Sequence, residues 1–288
     1  MTAESATATS TLEEQADRLA SDLVIPPCPA ILARFTSEMN QDDPDLRKLS
    51  GLIGADAALS AAMLGTVNSP YYGLSRKATS IQHALTILGL RASANLITRL
   101  LLRHAFPATS GSLMQRFWDA SLEMTDTAAQ LCSEFRSIDR DEVQTYALFR
   151  DCGMAVMIAK FEDYGTVLAR HEDSPGAALL MAEDARYRYN HARVGYALAR
   201  GWFLPEPMCK AILFHHDIER AAAGQRDAVP ADPKLVAFGL LAEQVAALRG
   251  NRGLCPDWSS SEATVLGILQ LDPERIVAMV NPESLAAA

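Results

Sequence analysis

The chain has 288 residues, 49% hydrophobic and 21% charged, a composition that predicts a folded globular protein rather than a disordered one. Its 26 basic residues are outnumbered by 35 acidic ones, for a formal net charge of −9. With no cluster of lysine or arginine, duplex nucleic acid is excluded as a main ligand, because neutralising phosphates requires clustered positive charge.

The N-terminal stretch "MTAESATATSTLEEQ" lacks the basic start and apolar centre of a secretory signal. Rich in Ser, Thr, Ala and Glu, residues 1–20 read as a mobile tail. The pattern is then helical almost throughout. Pro29 suits a first helical turn, and Ile31, Leu32, Phe35 and Met39 form an apolar stripe. Asp45 is placed to cap a helix carrying Leu46, Leu49, Leu52 and Ile53. "AALSAAMLGTVNSP" is a small-residue helix that must break near Pro70. Ser80 can cap a helix with Ile81, Ala84, Leu85 and Leu88 on one face, running on to about Leu102. The tyrosines of "NSPYYGL" are expected to brace a helix junction, and Trp202 to anchor a core.

Pro107 and "PATSGS" mark a boundary between two lobes, about 21–109 and 110–285. A long helix is predicted from Leu113 to about Phe135. Helical spacing then recurs in "DEVQTYALFRDCGMAVMIAKF", "SPGAALLMAEDARYR", "NHARVGYALARGW" and "EPMCKAILFHHDIE". Residues 221–233 and 249–261 read as surface loops. No alternating strand pattern appears, so the fold class is all-α. Apolar runs are broken by charge well short of the ~18 residues of a membrane span. The five cysteines are widely spaced with no CxxC, which predicts neither disulfides nor a thiolate metal site and suits a reduced, cytoplasmic protein.

Chemistry-bearing side chains concentrate in the second lobe: Asp151, His191, His215, His216, Asp217 and Glu243. Histidine and carboxylate are ligands for Zn, Mn or Fe, and a bound metal activates water for hydrolysis. No local signature such as HExxH is present, and each residue also has a structural reading. His191 follows Asn190, a good helix cap, and would be partly exposed there. Neighbours on a helix diverge by about 100°, so His215 and His216 would border different sides of a pocket. Glu243 fits a solvent-facing helix position.

Taken together, "IPPCPAIL" (25–32), "GADAALSAAMLGTVNSPYYG" (54–73), "ATSIQHALTILGL" (78–90), "FWDAS" (117–121), "ALFRDCG" (147–153), "NHARVGYALARGWFLPEPMCKAILFHHD" (190–217) and "FGLLAEQVA" (238–246) resemble the HDOD family, the HD-related output domain of bacterial signalling proteins. The resemblance covers roughly residues 21–250. It implies an all-helical fold, an N-terminal helical bundle packed on a lobe similar to HD-type metal phosphohydrolases. It also implies a degenerate site. Ala120 stands where the first histidine would be, and Arg150 where the His of the His-Asp pair would be. Asp151 keeps the Asp, His191, His215 and His216 match later histidines, and Glu243 falls near the last Asp.

Arg150 has no acceptor and does not deprotonate, so it cannot be a ligand. At an effective dielectric near 20, its charge about 4 Å from a divalent cation would be repelled by about 8 kcal/mol. No metal and no cofactor are therefore expected; if a metal bound, Asp151, His191, His215 and His216 would hold it. Arg150 is expected to stand in for the missing metal by offsetting Asp151 or Glu243. The expected function is a non-catalytic signalling module acting through a protein partner or a small ligand. The alternatives are a metal-dependent phosphohydrolase of cyclic nucleotides or dinucleotides, and a pseudoenzyme holding a nucleotide or cyclic dinucleotide on Arg150, His191 and His215, since Arg suits phosphate geometry.

Overall fold

Helix propagates wherever the 3.6-residue spacing runs unbroken, and the breaks fall at proline, glycine and capping side chains. A computed structural model describes residues 3–109, 111–135, 138–223 and 230–280. The chain is 73% helical, with no strand among the described residues. The α-helices are α1 (Ala3–Leu23), α2 (Ala30–Met39), α3 (Leu46–Gly54), α4 (Ala57–Val67), α5 (Ile81–Leu88), α6 (Leu90–Ala105), α7 (Leu113–Leu131), α8 (Arg140–Phe149), α9 (Cys152–Lys160), α10 (Tyr164–Arg170), α11 (Gly176–Tyr187), α12 (His191–Gly201), α13 (Glu206–Leu213), α14 (Ile218–Ala223), α15 (Pro233–Arg249), α16 (Trp258–Leu269) and α17 (Pro273–Val280). No single helix among the described residues is long and apolar enough to cross a membrane.

The helices group into two compact units. One is Pro27–Ala105, containing α2–α6; the other joins the chain up to Pro26 with the chain from Phe106 onward. In the first unit, Asp45 caps α3 through the N–H groups of Arg47 and Lys48, and Ser80 caps α5 through that of His83. Phe35, Leu49, Ile53, Val67 and Ala84 form its solvent-free core. The helix expected to run from Ile81 to Leu102 is instead two, bent by 113° at Gly89, whose φ of +78° only glycine adopts without strain. The "NSPYYGL" turn is braced by Asn68, whose amide bonds both the N–H and the C=O of Ala78; Tyr71's side chain lies outside the described residues.

In the second unit α15 is apolar on nearly every side and buries Leu235, Val236, Phe238, Leu241 and Val245, as a central core helix does. The stretch read as a tail is helical instead. From Leu12 onward, α1 buries Ala16, Leu19 and Leu23, whose three- and four-residue spacing lay hidden in a polar composition. Arg200 of α12 faces Glu13 and Asp17, and Trp202 is a core anchor that donates its indole N–H to the Pro26 carbonyl. Residues 1–26 thus belong with the second unit. Of the two stretches read as loops, 224–229 lies outside the described residues, and 249–261 becomes helical at the buried Trp258.

A close approach of α9 to α12 sets up the site. A Cβ on Gly153 would lie 1.9 Å from the carbonyl oxygen of His191 and 2.7 Å from the N–H nitrogen of Gly195. Only glycine lets α9 and α12 meet backbone to backbone. Gly153→Ala is expected to destabilise the fold by about 1–3 kcal/mol in urea unfolding, because backbone must move to admit the methyl.

Candidate metal centre

Arg150 and Asp151 do not lie within one helix. α8 ends at Phe149 and α9 starts at Cys152, with Asp151 at φ −105°, ψ 13°. On a continuous helix neighbouring side chains diverge; this break turns both to the same side. Arg150 is 2% exposed, and its guanidinium donates to Asp151 Oδ2 at 3.2 Å and to Glu243 Oε2 of α15 at 2.7 Å. A weaker contact reaches the sulfur of Met124 on α7 at 3.8 Å.

The other oxygen of the same carboxylate faces the histidines. Asp151 Oδ1 lies 3.1 Å from His215 Nε2 and 3.9 Å from His191 Nε2. His191 Nε2 lies 3.3 Å from His215 Nε2 and 3.1 Å from His216 Nε2. One donor atom from each of the four residues falls within 4.8 Å of all the others. Asn190 caps α12 and thereby fixes the start of the helix that carries His191. His215 and His216 follow the end of α13 at Leu213, so they sit in a turn. Their expected divergence does not occur, because the helix has already ended; their ring centroids are 4.0 Å apart.

Each ring is held from behind by a group that only accepts. His191 Nδ1 donates to Glu183 of α11 at 2.8 Å, His215 Nδ1 to the Ile212 carbonyl at 2.6 Å, and His216 Nδ1 to Asp257 Oδ2 at 2.6 Å. Glu183 is itself fully buried, and receives the Tyr164 hydroxyl and the His191 backbone N–H. Where the Nδ1 proton is given to these acceptors, the Nε2 atoms of the three rings converge as lone pairs beside the Asp151 carboxylate. That arrangement repels itself unless a cation is shared. Ligands on bonds of about 2.1 Å stand roughly 3.0–3.4 Å apart in cis-octahedral or tetrahedral geometry; three donor pairs, at 3.1–3.3 Å, fall in that range, and the Asp151–His191 pair at 3.9 Å is wider. Backing of ligand imidazoles by carboxylate and carbonyl is also what metal-binding histidines show.

The electrostatics agree. Burial pushes His216 down to about 4 and also lowers His215, so both rings are neutral and able to ligate at pH 7. Burial alone would raise Asp151, but the Arg150 guanidinium holds its carboxyl well below the usual range. Burial likewise opposes ionisation of Glu183 and Asp257, and the hydrogen bonds from His191 and His216 overcome it. Arg150 thus pairs with Asp151 and Glu243, while Glu183 and Asp257 bond the backs of His191 and His216. The donor set fits a first-row transition metal.

The HDOD domain model matches residues 25–218, about two thirds of the chain. The chain belongs to the HDOD family. An uncharacterized protein of Treponema pallidum is 24% identical over 217 residues, covering 73% of this chain; the HDOD chain spans only 42% of that relative's length. Two crystal structures resemble it over nearly their whole length. One is an HDOD domain protein of unknown function from Geobacter sulfurreducens, at 24% identity, TM-score 0.63, and coverage of 95% and 96% of the two chains. The other is a candidate phosphohydrolase from Shewanella amazonensis SB2B, at 22% identity, TM-score 0.66, and coverage of 93% of each. At these identities they establish the all-α HD-like fold.

The HDOD chain brings together six of its seven predicted site residues. Ala120 is the exception: it is exposed on α7, and the residue that reaches the site from that helix is Met124. Asp217 is also outside the site; it is exposed and accepts the Arg220 N–H as a helix cap. His191 is fully buried rather than partly exposed, and Glu243 carries an ion pair rather than facing solvent alone. Arg150, His191 and His215, the expected phosphate-holding set, are all buried, and the open edges belong to Asp151, His216, Glu243 and Asp257. Arg150 occupies the Oδ2 side of Asp151 and leaves the Oδ1 side to the histidines. Glu183, Tyr164 and Asp257 went unrecognised in the sequence. A lone carboxylate in "LLMAEDARY" or "GLCPDW" has no spacing signal, since its partner lies on another element.

Proposed function

We propose that this chain is a non-catalytic HDOD regulatory module whose second unit holds one divalent transition-metal ion on Asp151, His191, His215 and His216. One observation carries the reading: the buried Arg150 guanidinium binds both Asp151 Oδ2 and Glu243 Oε2. These are the acceptors through which a second cation would be held, and a fixed monovalent cation already occupies them. Hydrolysis through paired metals, with one ion stabilising the attacking oxygen and another the leaving oxygen, is closed to such a site. The single metal would draw the four donors together and neutralise their charge. Bound, it would supply Lewis acidity; the chain's own residues supply orientation and a largely closed surrounding. Because only narrow edges of Asp151, His216, Glu243 and Asp257 are open, the signalling contact is assigned to a protein partner on the outer surface.

Protein purified without chelator is expected to carry one Mn, Fe, Co or Zn per chain by elemental analysis. It should show no turnover of cyclic dinucleotides or nucleoside phosphates with any of these ions. Enzyme-like turnover by the metal-loaded wild type would favour the single-metal hydrolase instead and end the non-catalytic reading.

A further inference from the structure

Asp257 is separated from the other site residues in sequence and lies beyond the HDOD match, which ends at residue 218. Its carboxylate faces two donors at once. Oδ2 accepts from His216 Nδ1 at 2.6 Å, and Oδ1 accepts from the backbone N–H of Gly176 at 2.7 Å. The segment that presents it is pinned on both sides. The N–H of Cys255 donates to the buried Gln244 side chain at 2.8 Å, and Trp258 is buried in the core. Gly176, at the start of α11, completes the fit. A Cβ there would lie 1.9 Å from Nδ1 of His216, inside the space of the ring.

From this clamp we infer that Asp257 is a positioning residue of the metal centre, and that the C-terminal segment 250–258 is part of the working site. The inference rests on the single-metal reading above. Its physical content is the tautomer. A ring whose Nδ1 proton is given to a carboxylate keeps its Nε2 lone pair for a metal. Only a carboxylate offers one acceptor to each of the two donors. In Asp257→Asn, the amide oxygen stays with the Gly176 N–H, so the amide N–H₂ faces His216 Nδ1. That donor forces the imidazole proton onto Nε2, and the ligand atom is lost. Turning the amide over instead sets N–H₂ against the Gly176 N–H.

The test is a cobalt(II) titration of the full chain, read by chelator competition and by the visible d–d absorption of the bound ion. Wild type should bind one cobalt per chain. Asp257→Asn should bind about 10- to 100-fold more weakly, with an altered d–d band. Gly176→Ala, which displaces the ring while keeping Asp257, should weaken cobalt to a similar extent. In a His216→Ala background, adding Asp257→Asn should change cobalt affinity less than twofold, because Asp257 acts only through that ring. Wild-type protein that takes up no cobalt overturns the metal reading and this inference together. Wild type that binds, with Asp257→Asn equal to it in affinity and spectrum, overturns this inference alone. An Asp257→Asn loss that persists without His216 shows general structural damage and also overturns it.

Discussion

Replacing Arg150 with methionine is expected to destabilise the second unit by about 3 kcal/mol, read as a lower urea midpoint. The side chain is 2% exposed and bridges Asp151 and Glu243. Removing one member of a buried ion pair leaves uncompensated charge, at about 3–5 kcal/mol. The lower end applies because Asp151 and Glu243 are 23% and 36% exposed and keep hydrated edges. The double variant Arg150→Met, Glu243→Met should recover much of the loss, since an apolar pair of similar volume tends to be neutral against a buried ion pair. Arg150→Met alone should bind cobalt at least as tightly as wild type, because a repelling positive charge has gone. A cost under about 1 kcal/mol, or weaker cobalt binding, would show that Arg150 does not serve as the fixed cation of the site.

The second large effect is metal-linked stability. An ion that binds the folded state alone stabilises it by about 4 kcal/mol at a concentration 1,000-fold above Kd. For a unit of roughly 200 residues that corresponds to a rise in Tm of roughly 8–16 °C over chelator-treated protein. His191→Ala should abolish the shift, because His191 Nε2 contacts the donor atoms of both other histidines. His104→Ala, an exposed position in the first unit, should leave it intact. An equal melting temperature with and without Mn, Co and Zn in wild type would remove the metal from the account.

These two effects explain each other. With the proposed ion bound, Asp151 would be shared by two positive centres, Arg150 on its Oδ2 side and an ion held with the histidines on its Oδ1 side. The arginine is internal and permanent; the ion would be exchangeable. On the proposed reading, paired-metal hydrolysis would lack one of its two centres, while occupancy of the remaining site would couple metal binding to the stability of the second unit.

Much was legible from one dimension. The helix caps at Asp45, Ser80 and Asn190 act through the next three residues, so they could be read locally and were found in place. The all-α class follows from periodicity, and the resemblance to the HDOD family pointed to Arg150, Asp151, His191, His215, His216 and Glu243. α1 was missed because its buried face is three small or medium side chains in a polar composition, and its partner α12 lies far along the chain.

What the sequence by itself determined was which donors exist: three histidines and one aspartate remain, and an arginine that can never ligate stands beside them. What only the tertiary structure decided was where those atoms point. The ends of α8 and α13 turned adjacent side chains to one side, against their divergence on a continuous helix. Contacts from Glu183, Ile212 and Asp257 fixed each imidazole proton on Nδ1 and aimed three lone pairs at Asp151. Ligand chemistry is a property of residue type, but convergence is a property of helix ends and of partners brought from distant segments.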